Sequence, residues 1–191
     1  MSSAGFRIVT EAIRDRIKAA LQDDVHVGPL DDLAAKDTRL VLFLYRVSVN
    51  ADLRNAGHRR VGANPNAPII LYENALPFDL HFLVSASPSA EGTDLQGMED
   101  LGLAIQALND QPDVVGGALA GDVVRLSFEA MTTEEMGRIW ALFPAANYRT
   151  SVVVLATPVW IDPAQPKPTA APVTDETYAV TPSLGEPRNG Y

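Results

Sequence analysis

The chain offers few side chains able to do chemistry. It has three histidines and no cysteine, so thiol nucleophiles, thiolate metal sites and disulfides are excluded. His81 sits inside the apolar run "LPFDLHFLVSAS" with no second histidine nearby; it reads as a ring hydrogen-bonded at a sheet surface rather than a base or metal ligand. His26 lies among Asp23, Asp24, Asp31 and Asp32, carboxylates of the kind a hard cation prefers. The alternate-residue spacing and central glycine of a calcium loop are missing, which favours a solvated acidic turn. His58 belongs to "RNAGHRR" with Arg54, Arg59 and Arg60, four potentially cationic groups in seven residues. Neither GxGxxG nor GxxxxGK[ST] occurs, so a phosphate cradle lacks its glycine-rich loop. The segment reads either as an exposed loop or as a contact for an acidic protein partner. No G-x-S-x-G elbow occurs either, and Gly116–Gly117 reads as a turn before a strand. No catalytic residue, cofactor site or metal site emerges.

The elements that hold these residues are more legible. Phe6, Val9, Ile13, Ile17 and Leu21 form one stripe opposite Glu11, Arg14, Asp15 and Lys18, which predicts an amphipathic helix. A strand follows over about 38–50. Val41, Phe43, Tyr45 and Val47 point one way and Leu40, Leu42 and Leu44 the other, as in a core strand covered on both faces. Residues 50–68 are polar with Gly and Pro punctuation and read as a long loop. "LPFDLHFLVSAS" is a second strand with Phe78, Leu80, Phe82 and Val84 on one face.

A helix capped by Thr93 or Asp94 carries the stripe Leu95, Met98, Leu101, Ile105 and Leu108. "GDVVRLSFEA" is a third strand. Thr132 and Glu135 then form a capping box, with Met131 and Met136 at the staple positions. Met136, Ile139, Trp140 and Phe143 supply that helix's buried side, and "NYRTSVVVLATPVWI" is the last strand. Trp160, at its end beside Pro158, is placed to face a neighbour.

The expected fold class is α/β (α+β): one domain, residues 1–162, with a mixed β-sheet packed against helices. Residues 163–191 hold six of the fourteen prolines and form a Pro-rich C-terminal tail. Alone it cannot bury enough surface to offset its ordering entropy, so it is expected to be extended or disordered unless a neighbour holds it, with Tyr178 and Tyr191 as the natural anchors.

Bulk properties narrow the function classes. With 191 residues, 47% hydrophobic and 20% charged, the chain has an ordinary globular composition. A net charge of −9 opposes general nucleic-acid binding and binding to an anionic membrane surface. No apolar run approaches the length of a membrane span, and the N-terminus has no signal-like core, so the expected location is cytoplasmic.

Four stretches in order, "LVLFLYRVSVNADLRN", "LPFDLHFLVSAS", "LGLAIQALNDQPDV" and "VRLSFEAMTTEEMGRIWALFPAANYRTSVVVLATPVWID", resemble the cap, or tail-terminator, proteins of extracellular contractile injection systems. These are phage-tail-like particles typified by the antifeeding prophage and the Photorhabdus virulence cassettes. The resemblance runs from about Ile8 to Asp162. It implies a tail-terminator-like fold and a structural, non-enzymatic role without cofactor: a ring, expected to be a hexamer, at the end distal to the baseplate. Such a ring ends tube and sheath growth and holds sheath to tube, as part of the particle once assembled. Its partners would be other copies of itself, the tube and the sheath. Arg54, His58, Arg59, Arg60, Trp160, Tyr178 and Tyr191 are the candidate contact residues. An adaptor or assembly chaperone, or an enzyme with an unrecognised site, are the alternatives.

Overall fold

The computed structural model describes residues 3–60, 70–72, 74–87, 94–116, 119 and 121–164. Its frame is a mixed sheet of β1 (Val25–Val27), β2 (Leu40–Val49), β5 (Leu76–Ala86), β6 (Asp113–Val114), β7 (Val124–Glu129) and β8 (Ser151–Ile161). The six strands lie in the order β1-β2-β5-β8-β7-β6. β1 runs parallel to β2; every other pairing in the sheet is antiparallel. A separate two-stranded ribbon joins β3 (His58–Arg60) to β4 (Ile70–Tyr72).

Helices cover both faces. α1 (Gly5–Leu21) and α2 (Asp94–Asp110) close one side, where Val9, Ile13, Ile17, Leu101, Ala104 and Leu108 meet Leu40, Leu42, Leu80, Phe82 and Val84. α3 (Thr133–Trp140) and a 3-10 turn (Leu33–Asp37) close the other, burying Met136, Trp140, Leu30 and Ala35 against Val41, Leu83 and Val153. The alternating apolar faces of β2 are therefore divided between two cores, as its pattern predicts.

α3 starts where its capping box requires. Thr132 Oγ1 accepts from the Glu135 amide at 3.2 Å, and Glu135 Oε2 accepts from the Thr132 amide at 3.0 Å. Two donors that the helix cannot satisfy internally are thus paired. Met131 and Met136 both join the α3-side core. Across the other face, the buried Asp100 of α2 takes both arms of the Arg39 guanidinium fork, Nε at 2.9 Å, which fixes α2 to the start of β2. That pairing raises the Arg39 pKa.

Four expectations need correction. The buried face of α2 is rotated from the expected stripe: Leu95 is 75% and Met98 53% exposed, whereas Asp100, Leu101, Ala104 and Leu108 are buried and Gly97 lies close against Ala86. Residues 50–68 are not all loop, because 58–60 form a strand of the ribbon. β2 is a covered core strand only in its first half, since Val47 and Val49 are 42% and 46% exposed. The fourth concerns Val47. The β2–β5 register slips between Leu44 and Arg46, leaving Tyr45 as the extra residue of a bulge. One extra residue inverts all later alternation, so Val47, opposite Leu80, lies on the Leu40–Leu42 face and not with Phe43.

Candidate assembly interface

At one end of the sheet lie the C-terminal ends of β2 and β8 and the N-terminal end of β5, since Val49 is opposite Phe78 and Leu76 opposite Ile161. The chain leaves β2 there through Asn50. Its side-chain oxygen accepts from the amides of Asp52 and Leu53 at 3.1 and 3.0 Å, an Asx turn that starts the 51–55 bend. The Asn50 amide nitrogen donates to Asp79 at 2.9 Å, and Asp79 also accepts from Thr157 at 2.5 Å. Three strands are tied at the base of the turn, and Arg54 stands exposed upon it.

Beyond the turn the ribbon is fastened by His58, which is 5% exposed. Its Nδ1 lies 2.5 Å from Asp162 Oδ1 and its Nε2 2.9 Å from Asp122 Oδ1. Each ring nitrogen is thus engaged by one carboxyl group. The ring stacks on Trp160, with centroids 4.7 Å apart and planes 3° from parallel, and Tyr72 of β4 lies on the ribbon side at 6.2 Å. The ribbon, the end of β8 and the segment before β7 therefore converge on one histidine.

The seven sequence-predicted contact residues divide accordingly. Arg54 is exposed. His58 and Trp160 are brought together, but they face inward: Trp160 is 9% exposed and its ring face is taken by His58 instead of pointing outward. Arg59 and Arg60 follow His58 in β3, so their backbone is placed by the ribbon while their side chains lie outside the described residues. Tyr178 and Tyr191 also lie outside the described residues. Sequence reading missed Asp122 and Asp162, which stand far from His58 in the chain and carry no local signal.

The remaining histidines occupy other networks. His81, 8% exposed, spans Ser48 Oγ at 3.3 Å and Glu129 Oε2 at 2.8 Å, beneath Tyr45. Burial raises the pKa of Tyr45, with Glu129 adding to the effect. The order serine, histidine, carboxylate is that of a nucleophile, base and orienting acid, but Ser48 lies within β2 and not on a strand-to-helix elbow. His26 Nε2 sits 3.2 Å from Asp32 Oδ2 without hydrogen-bond geometry. Among the described residues no cluster of three His, Asp or Glu is arranged to hold a metal ion. Nor is any described helix long and apolar enough to cross a membrane.

The sequence matches the family model described as the Pvc16 N-terminal domain over residues 8–175. The chain belongs to the Pvc16 N-terminal domain family. Among curated proteins none matches it. Two solved structures share its fold. One is the sheath/tube terminator of an extracellular contractile injection system, PVC, in its extended state. It has a TM-score of 0.60 and 18% identity, covering 93% of this chain and 64% of that one. The other is the tube-terminating cap of the anti-feeding prophage, with a TM-score of 0.57 and 18% identity, covering 90% and 60%. This Pvc16 N-terminal domain chain thus spans about three-fifths of the length of the terminators it resembles. The expected α+β tail-terminator fold is the observed one.

Proposed function

We propose that this chain is a structural cap subunit of a contractile injection particle. It assembles with copies of itself into a ring, with six as the expected number, at the end distal to the baseplate. There it ends tube and sheath growth and holds sheath to tube. The observation that carries this reading is family membership over residues 8–175, together with two fold neighbours that are themselves terminators of such particles.

The physics required is modest. A growing tube exposes an interface that each new ring would bury, a heterologous contact that propagates until something breaks the repeat. A cap ring matches that interface on one side and offers none on the other. The net charge of −9 would keep capped ends apart through mutual repulsion. No reaction is needed, and the domain at 1–162 with its tail at 163–191 would act through surface alone. The end of the sheet where Arg54 and the ribbon project is our candidate for the contact face; His58 and Trp160 would position that face from beneath.

The test is removal of the chain from its host particle, followed by electron microscopy of negatively stained particles. Missing end density, with tubes of uncontrolled or absent length, is the expected result. Normally capped particles would sink the reading. Among the described residues, a hydrolase would draw on the Ser48–His81–Glu129 line. It requires labelling of Ser48 by a fluorophosphonate probe, and absence of labelling removes it.

A further inference from the structure

The open edge of β2 gives the cap reading a specific partner. β1 pairs only with Leu40, Val41 and Leu42, after which the Gly28 amide donates to the Leu42 carbonyl at 3.2 Å. From Phe43 to Val49 no described residue pairs with the outer edge of the strand. A seven-residue edge presents its unpaired amides and carbonyls over about 23 Å. The bulge at Tyr45 then places Val47 and Val49 together on the α1 side of the sheet, both more than two-fifths exposed. Leu76, also 46% exposed, lies at the same end of the sheet, near the edge-to-face pair Phe6–Phe78. An apolar shelf thus adjoins an unpaired backbone.

We propose that this edge accepts the segment Thr177–Thr181, "TYAVT", from the C-terminal tail of a second copy of the chain, as an added strand. The inference rests on the ring reading for the presence of that second copy. The segment is Pro-free and rich in β-branched and aromatic residues, unlike the proline-punctuated sequence around it. On an extended backbone Tyr178 and Val180 share one face, so they can lie over Val47 and Val49 as cross-strand pairs.

The spacer decides between donors. The end of β8 is two strand spacings, about 10 Å, from the β2 edge of its own copy. Residues 163–172 contain four prolines, a composition that favours an extended spacer advancing about 3.1 Å per residue. With residues 173–176 added, fourteen residues lead from Asp162 to Thr177 and span up to about 43 Å, overshooting the near edge and suiting the corresponding edge of an adjacent copy. Main-chain hydrogen bonds would supply affinity and the Tyr178–Val180 face would set register.

The chain has no cysteine, so disulfide mapping has no background. Particles are purified carrying the full chain with Val47→Cys and one further cysteine at each of 177 to 181 in turn, then oxidised and run on non-reducing gels. A Val49→Cys series repeats the scan from a second anchor. The expected result is an interchain disulfide whose yield alternates along the segment, high at 178 and 180. Overturning results are interchain product in both series no greater than from Val123→Cys, an exposed control off this edge, or intrachain product alone. Capped ends without cross-links would sink this inference while leaving the cap reading standing; wild-type particles lacking the chain at their ends would sink the cap reading itself.

Discussion

His58 lies flat on the indole of Trp160, with ring centroids 4.7 Å apart and the planes 3° from parallel. The stack closes one side of the imidazole while Asp122 and Asp162 take its two nitrogens in the ring plane. These four side chains come from three parts of the chain, with Trp160 and Asp162 both at the end of β8. His58 is therefore the point through which the ribbon, the last strand and the segment before β7 share one geometry.

Removing this ring takes one hydrogen-bond partner from each of two buried carboxyl groups and empties the space against Trp160. His58→Ala should cost about 3 kcal/mol, through the lost packing of a buried ring and two lost buried hydrogen bonds. For a domain of this size that lowers Tm by roughly 6–12 °C. Arg54→Glu, on the exposed turn, should stay within about 0.5 kcal/mol of the parent. Thermal scans of both variants check the contrast. Equal Tm values would mean that the ribbon is not held through this histidine.

A second prediction concerns α2. Leu101 is 4% exposed and Met98 53%. Leu101→Ala should cost about 2–5 kcal/mol in chemical denaturation, whereas Met98→Gln should cost less than about 0.5 kcal/mol. Periodicity assigns both to one buried stripe, so this pair measures which way α2 faces the core.

That miss and two others have the same physical origin. The elements stand in the sequence because their signals are local: the α1 stripe, the twofold apolar alternation of β2, and the reciprocal Thr132–Glu135 cap. Which way a helix turns toward its core is set by its neighbours and is not local, so Leu95 and Met98 read as buried. The bulge at Tyr45 is set by pairing with β5, so nothing around Tyr45 announces that Val47 changes face. β1 and β6, with three and two residues, are too short for periodicity to register. The candidate site was half legible. The basic cluster stands out by composition, but Asp122 and Asp162 meet His58 only in the folded chain.

The α3 cap offers a third test. Thr132→Ala should cost about 1 kcal/mol, read from the midpoint of denaturant unfolding. Hydrogen bonds from the Thr132 backbone and side chain hold the Glu135 carboxyl below its usual range. A carboxylate depressed in the folded state stabilises it above its unfolded pKa and loses that contribution as pH falls through the folded value. Glu135→Gln should therefore flatten the acid-side decline of stability. An unchanged profile would mean that the carboxylate adds nothing at the helix start.

The last prediction separates assembly from folding at the basic segment. Arg54 is exposed on the Asx turn, and Arg59 and Arg60 follow the anchored His58 in β3. A rim charge that meets an acidic partner acts mainly on association and its salt dependence, and little on the fold. Arg59→Glu combined with Arg60→Glu should thus leave the Tm of the isolated chain within about 2 °C of the parent. In the host it should reduce the fraction of particles bearing end density, with the loss growing as ionic strength is lowered and like charges repel over longer distances. Counting capped ends at low and high salt, beside a melting curve of the same variant, decides the matter. Normal capping at both salt concentrations would place the contact elsewhere on the subunit.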